Sequence, residues 1–156
     1  AGAASIAHLA TIDGLTTGAL SYTSITDTAA NLVANAGGYV SGSVAVTVSG
    51  AATVAQLNTI DGLTSGVVTA TISGTAAQLT TLSGTGKAYT VTVTDAASIA
   101  QLTTIDGLTT GTLSYASITD TAANLVANVG NYVASNVPVT VSGAATIAQL
   151  EAYINS

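Results

Sequence analysis

The stretch "TIDGLTTG" stands at Thr11–Gly18 and again at Thr104–Gly111, and "TIDGLTSG" stands between them at Thr59–Gly66. The flanking residues repeat as well, because residues 3–50 align with residues 96–143 without a gap and 38 of 48 positions are identical. This offset of 93 residues gives a long repeat at 3–95 and a second, shorter copy at 96–156. A duplication of this length predicts that the structure is duplicated too.

A shorter period runs inside the long one. Its markers each follow Thr or Ser and precede a small, Ala-rich stretch: Asp27, Gly50, Gly74, Asp95, Asp120 and Gly143. They are 23, 24, 21, 25 and 23 residues apart. A period in the low twenties is typical of a solenoid, in which each coil buries its apolar face on its neighbours. We therefore expect residues 1–156 to form a single repeat solenoid.

Each predicted coil begins with a helical half. In Asp95–Leu108, apolar residues recur every third position from Ile99 onward, which is the spacing of a short helix with one buried stripe. We expect the marker aspartates to cap the helix that follows them. The Asp-Gly pair should end that helix, since glycine adopts the left-handed conformation at little cost. The fourth coil, Gly74–Asp95, is the shortest and should have a trimmed helix.

The second half of each coil reads as a strand, as in "AYTVTVTD" at Ala88–Asp95, where β-branched residues alternate with hydroxyl residues. Aligned on their ends, the strands predict a first inward column of Ile25, Val48, Ile72, Val93, Ile118 and Val141. The second predicted inward column is Thr23, Val46, Ala70, Val91, Ala116 and Val139. Pairing in the sixth coil should begin after Pro138, which has no amide proton to donate.

Two columns of hydroxyl residues should face outward. This hydroxyl ladder consists of Ser24, Thr26, Thr47, Ser49, Thr71, Ser73, Thr92, Thr94, Ser117, Thr119, Thr140 and Ser142. It is the one predicted surface with the regularity of a binding face, and it resembles the threonine ladders of ice-binding solenoids.

The predicted fold class is an α/β solenoid with a short helix and a parallel strand in each coil of about 21–25 residues. Six such coils are followed by a terminal helix in "GAATIAQLEAYINS". An all-β solenoid remains open, because Ala- and Thr-rich stretches of this length fit either element.

Composition excludes several functions. The net charge of −6, with Lys87 as the single cation, argues against nucleic acid as a partner. No apolar run approaches the roughly 18 residues of a membrane span. A zinc site is not expected with no Cys and His8 alone. The chain lacks a paired base for its Ser and Thr hydroxyls, so we expect no enzyme activity and no cofactor.

Three aspartates recur within the repeated octapeptide: Asp13, Asp61 and Asp106. Stacked in alternate coils they would lie roughly 10 Å apart, too far to share one calcium ion. We expect them to be structural, and Ca²⁺ bound together with main-chain carbonyls is the alternative. The turn "GTGK" at Gly84–Lys87 lacks the spacing of a phosphate-binding loop.

The motifs "DTAANLVAN" (Asp120–Asn128), "AATIAQL" (Ala144–Leu150) and "TIDGLTTG" resemble the large Ala/Thr/Gly-rich repetitive secreted and surface proteins of cyanobacteria and proteobacteria, of the β-strand-repeat type. The resemblance covers the whole chain and implies an extracellular or cell-surface location. It carries no functional residues with it.

The leading hypothesis is a structural repeat protein, a subunit or segment of a self-assembling filament, matrix or surface layer. Its partner would be itself, stacked head to tail through open solenoid ends. The alternative is a surface-binding module, either an ice-binding ladder or a glycan adhesin.

Overall fold

The computed structural model describes residues 3–154, in which helices and strands alternate. The helices are α1 (Ile6–Asp13), α2 (Ala29–Ala34), α3 (Val54–Leu63), α4 (Ala76–Leu79), α5 (Ile99–Leu108), α6 (Ala122–Ala127) and α7 (Ile147–Ile154). The strands are β1 (Ser24–Thr28), β2 (Ala45–Ala51), β3 (Val68–Gly74), β4 (Ala88–Val93), β5 (Leu113–Tyr115), β6 (Ile118–Thr121) and β7 (Val139–Ser142). The α/β class is confirmed, and the all-β alternative is wrong.

The strands form a five-stranded parallel sheet in the order β1-β2-β3-β4-β5 and a two-stranded parallel sheet of β6 and β7. Parallel neighbours need a crossover connection, which the intervening helices provide. The chain divides into two compact units. The first comprises the described residues of Ala1–Ile72 with Leu82–Val91 and Leu108–Thr112, and the second Ser73–Thr81, Thr92–Gly107 and the described residues of Leu113–Ser156. The single solenoid stays a prediction.

Hydroxyl caps begin the helices. The Thr53 side chain accepts a hydrogen bond from the Gln56 amide at 3.2 Å, and the Gln56 side chain accepts one from the Thr53 amide at 3.0 Å. Such a reciprocal pair satisfies two donors that a helix start otherwise leaves without partners. Thr75 and Gln78 do the same for α4, whose four residues confirm the trimmed helix of the fourth coil.

The predicted helix end at Asp-Gly holds for α1, which ends at Asp13 with Gly14 as its C-cap, and is wrong for α3 and α5. Both α3 and α5 continue through the glycine and end one residue later, at Leu63 and Leu108. In α1 the following Gly14 has a right-handed φ of −69°. Glycine is destabilising inside a helix but does not forbid it, and in this chain the stop comes from the turn that follows.

The marker aspartates cap a different helix from the one predicted. Asp27 accepts a hydrogen bond from the first amide of α1, at Ile6, with a distance of 3.0 Å. Asp120 accepts one in the same way from Ile99 at 2.9 Å. Asp95 accepts one from Ala76, the first residue of α4, at 2.7 Å. Each carboxylate therefore caps the helix that precedes it in the chain, where the helix dipole favours negative charge.

The inward strand positions are largely as predicted, but their register is not. Buried residues of the first column are Ile25, Val48, Ile72, Val93 and Ile118, and Val141 is half-buried. Ile25 pairs with Val46, and Asp27 pairs with Val48, a shift of two residues from the alignment on strand ends. The shift arises because Asp27 takes an inward position to reach α1, whereas the sequence predicts that Asp27 caps the helix that follows it.

Two members of the second inward column were predicted wrongly. Thr23 and Ala116 are exposed, since β1 begins at Ser24 and β6 at Ile118, after these residues. The remaining members, Val46, Ala70, Val91 and Val139, are buried or half-buried. Pairing in the sixth coil begins at Val139, directly after Pro138, as predicted.

Candidate functional site

The hydroxyl ladder lies on the strands as a mostly exposed surface. Its exposed members are Thr47, Ser49, Thr71, Ser73, Thr92, Thr94, Thr140 and Ser142, and its half-buried members are Ser24, Thr26, Ser117 and Thr119. The register places Thr26, Thr47 and Thr69 side by side, so Thr69 takes the place that the end alignment gave to Thr71. In the second sheet Thr119 pairs with Thr140.

The last three residues of the repeated octapeptide form a turn that docks on a strand start. The Thr109 hydroxyl lies 2.7 Å from the carbonyl oxygen of Tyr89 and 3.0 Å from that of Lys87, and it accepts from the Gly111 amide at 2.9 Å. A Cβ at Gly111 would overlap the Tyr89 carbonyl. The recurrence of Thr-x-Gly is thus explained by a backbone approach that admits only glycine.

The same turn is present at the second octapeptide. Thr64 lies 2.6 Å from the Val44 carbonyl oxygen and accepts from the Gly66 amide at 2.9 Å. At Thr16 the local part of the turn persists, with the Gly18 amide donating to Thr16 at 3.0 Å.

The tyrosines pack as duplicated pairs rather than standing on the surface. Tyr22 meets Tyr39 edge to face with ring centroids 6.3 Å apart, and Tyr115 meets Tyr132 at 6.1 Å. The Tyr22 hydroxyl donates to the Tyr39 carbonyl at 2.9 Å, and Tyr115 donates to the Tyr132 carbonyl at 2.7 Å. Three tyrosines are half-buried and three are buried: Tyr22, Tyr115 and Tyr153 in the first group, and Tyr39, Tyr89 and Tyr132 in the second.

Each octapeptide aspartate has a partner 26 residues further along the chain. The Tyr39 hydroxyl donates to Asp13 at 3.2 Å, and the Tyr132 hydroxyl donates to Asp106 at 3.4 Å. In the middle octapeptide, Thr59–Gly66, the partner of Asp61 is Lys87. Burial and then the charge of Asp13 raise the pKa of Tyr39, so this phenol stays a donor at neutral pH.

This shared spacing was not predicted from the sequence. Two of the three partners are tyrosines and one is a lysine, so no single motif marks the position. A search for any hydrogen-bond donor at a fixed distance from the repeated Asp-Gly would have found it.

Two apolar patches are exposed. The α1 patch consists of Ile12 and Leu15, and the α7 patch consists of Ile147, Leu150 and Ile154. At the offset of 93 residues, Ile12 corresponds to Ile105, yet the first is 48% exposed and the second 0%. Leu150 corresponds to Leu57, and these are 39% and 0% exposed. The same apolar side chain is therefore covered in one copy and open in the other.

An open pocket of about 350 Å³ adjoins the α7 patch. Its lining is Asn128, Val133, Ala134, Ser135, Tyr153 and Ile154. Val133 is half-buried here, whereas its counterpart Val40 is 1% exposed in the first copy. In that copy Thr64 and Ser65 bond to the Gly42 carbonyl, which corresponds to Ser135.

Over residues 3–154 no group of three or more His, Asp or Glu side chains is placed to hold a metal ion. His8 lies exposed on α1 and uses its backbone amide to close the Ser5 cap. Within the same range no helix is long and apolar enough to cross a membrane. Comparison with protein-family models, curated proteins and solved structures finds no match to the chain.

Proposed function

We propose that the chain is a structural repeat protein of an extracellular or cell-surface assembly. Its coils stack as an α/β solenoid, and copies associate with each other, head to tail, through the α1 and α7 patches. The proposal rests on a comparison between the copies of the repeat. Ile105 and Leu57, which are equivalent to Ile12 and Leu150 of the two patches, are buried within the chain.

The observation that carries the proposal is the contrast at equivalent positions of the duplication. Ile105 is covered by the chain's own residues, whereas Ile12, in an identical octapeptide, is 48% exposed. Exposed apolar side chains that cluster are the usual mark of an association surface. A second copy is the natural occupant, since it presents exposed apolar side chains of its own in the α7 patch.

The chemistry of the chain fits a scaffold better than an enzyme. The single histidine, His8, is exposed on α1, and its backbone amide closes the Ser5 cap. Buried polar side chains such as Asp27 and Thr64 cap a helix or close a turn.

The test is the size of the purified protein across a wide concentration range, by sedimentation and by electron microscopy. We expect assemblies that grow with concentration. Ile12→Glu and Ile154→Glu should each raise the concentration needed for assembly about tenfold or more, because each buries a charge in an apolar contact. Val67→Glu is the matched control, since Val67 is similarly exposed at 52% but belongs to neither patch. A protein that stays monomeric throughout would refute the proposal.

The hydroxyl ladder supports a second candidate, a surface-binding module that holds ice. The supporting observation is the row of Thr26, Thr47 and Thr69, held side by side by strand pairing at the spacing of about 4.8 Å. Thermal hysteresis and ice-shaping assays test it. A protein with no thermal hysteresis, or one whose hysteresis survives Thr47→Lys, would remove this candidate.

A further inference from the structure

The first compact unit contains a shielded trio of polar side chains, Asp61, Lys87 and Tyr89. Lys87 Nζ lies 2.5 Å from Asp61 Oδ1, and their side chains are only 11% and 12% exposed. Nζ also donates to the Gly66 carbonyl at 3.2 Å. Tyr89 is 1% exposed, and its hydroxyl has no hydrogen-bond partner.

The backbone holds the carboxylate of Asp61 in place. Gly84 has a φ of +78°, and a Cβ at this residue would overlap the Asp61 carboxylate. The neighbouring Ser83 amide donates to the Asn58 side chain at 2.7 Å, which fixes the turn over α3. Asp61 Oδ1 has no hydrogen-bond partner apart from its contact with Lys87.

As an ion pair, this arrangement is costly. Two charges are taken out of water, and a buried hydroxyl is left without a partner. The equivalent aspartates, Asp13 and Asp106, do not carry that cost, because they are exposed and each accepts a hydrogen bond from a neutral tyrosine. The chain has a single lysine, and it stands at this position. An amide between the two side chains would carry no charge. Burial and then the charge of Asp61 raise the pKa of Tyr89, so its orphan hydroxyl stays protonated and can donate to a carbonyl formed from that carboxylate.

We propose that Lys87 and Asp61 condense into an intramolecular isopeptide bond, with Tyr89 as the group that polarises the reacting carbonyl. The bond would join α3 to the start of β4 and close a loop around the turn at Gly84. It is a covalent cross-link in a chain that has no cysteine and so no disulfide.

The step balances within the pair. Lys87 Nζ first transfers one proton to an Asp61 oxygen, which gives a neutral amine as the nucleophile and a neutral acid as its target. The amine then attacks Cγ, the C–N bond forms, and the Tyr89 hydroxyl donates a hydrogen bond to the oxygen that gains negative charge. The second amine proton passes to the hydroxyl group, the C–O bond breaks, and one water leaves. No oxidant or co-reactant is needed. The fixed contact holds the amine against the carboxyl group, and this proximity takes the place of chemical activation of the acid.

Intact mass spectrometry of the folded full chain tests the proposal. We expect a mass about 18 Da below the sequence mass, the loss of one water on amide formation. Proteolysis at other sites should release a branched peptide that joins the segments around Asp61 and Lys87. A folded protein, verified by circular dichroism, that shows the full sequence mass would overturn the proposal.

A succinimide at an Asp-Gly pair also loses one water, so variants must separate the two products. Lys87→Arg keeps the positive charge but cannot form this amide, and it should restore the full mass. Hydroxylamine cleaves a succinimide and should leave the wild-type mass unchanged. Tyr89→Phe should lower the cross-linked fraction several-fold shortly after synthesis, whereas the control Tyr132→Phe should not. Loss of one water in the Lys87→Arg variant would assign the loss to the succinimide and sink the isopeptide.

Discussion

Replacement of Asp27 by alanine tests the most unexpected contact of the fold, a carboxylate in a strand that caps the helix before it. Asp27 is buried and accepts hydrogen bonds from the Ile6 amide at 3.0 Å, the Thr28 amide at 2.8 Å and the Asn31 side chain at 2.7 Å. Thr28 and Asn31 are exposed and can turn to water, but the Ile6 amide lies in a buried residue. The substitution therefore leaves one shielded donor without an acceptor.

The expected loss follows from that donor. A hydrogen bond to a charged acceptor contributes about 1.5–3 kcal/mol, and an abandoned buried donor costs a similar amount, so we expect Asp27→Ala to lower the free energy of unfolding by about 2–3 kcal/mol. Asp120→Ala should lose the same amount, since its contacts with Ile99, Thr121 and Asn124 repeat those of Asp27. Asp95→Ala should lose less, about 1–2 kcal/mol, because the Asp95 side chain is itself exposed, although the amide that it caps lies in the buried residue Ala76.

Urea unfolding followed by circular dichroism measures the three losses under one set of conditions. Asp27→Asn serves as an additional control, because it keeps one acceptor oxygen and should lie between alanine and wild type. Equal small losses for Asp27→Ala and Asp95→Ala would show that the reasoning from burial is wrong.

Three further outcomes are expected. Burial alone would raise the pKa of Asp27, but the hydrogen bonds from Asn31, Thr28 and Ile6 outweigh it and lower the pKa. The stability that Asp27 contributes is therefore complete above about pH 4 and is lost as acid protonates the folded carboxyl group, so urea midpoints measured between pH 7 and pH 2 should fall in that window. Gly66→Ala should destabilise the protein because the new Cβ would overlap the Val44 carbonyl, whereas Gly62→Ala, inside α3 with open space around it, should stabilise by about 0.5–1 kcal/mol. The melting temperatures of the two variants should therefore shift in opposite directions. Leu57→Ala should lower the free energy of unfolding by about 2–5 kcal/mol because it truncates a core residue, and Leu150→Ala, at its exposed counterpart, should change it by no more than about 0.5 kcal/mol. Comparison of the two urea unfolding curves checks the assignment of the α7 patch.

Periodic apolar letters allowed the alternation of helices and strands to be predicted, together with the short fourth helix and the strand start after Pro138. These features depend on local spacing and on the chemistry of single residues, which sequence displays directly. The register of β1 against β2 could not be predicted in the same way. It depends on Asp27 turning inward to meet an amide 21 residues earlier, and nothing local distinguishes that role from an ordinary cap.

The partners of the octapeptide aspartates illustrate the same limit. Asp13, Asp61 and Asp106 look alike in sequence, but their partners differ, and Lys87 reads as part of an exposed turn. Only the folded chain brings its Nζ against the Asp61 carboxylate. The hydroxyl ladder was easier to place, because strand alternation alone decides which side chains leave the core.

The carboxylate that completes α1 has a consequence for how the protein is made. While the chain emerges from the ribosome, the first amide of this helix has no acceptor until residue 27 follows it out, 21 positions later. Asp120 imposes the same delay on α5. Each newly synthesised strand thus consolidates the helix already released, so the nascent protein would mature in vectorial order from its amino terminus, one repeat behind the point of synthesis.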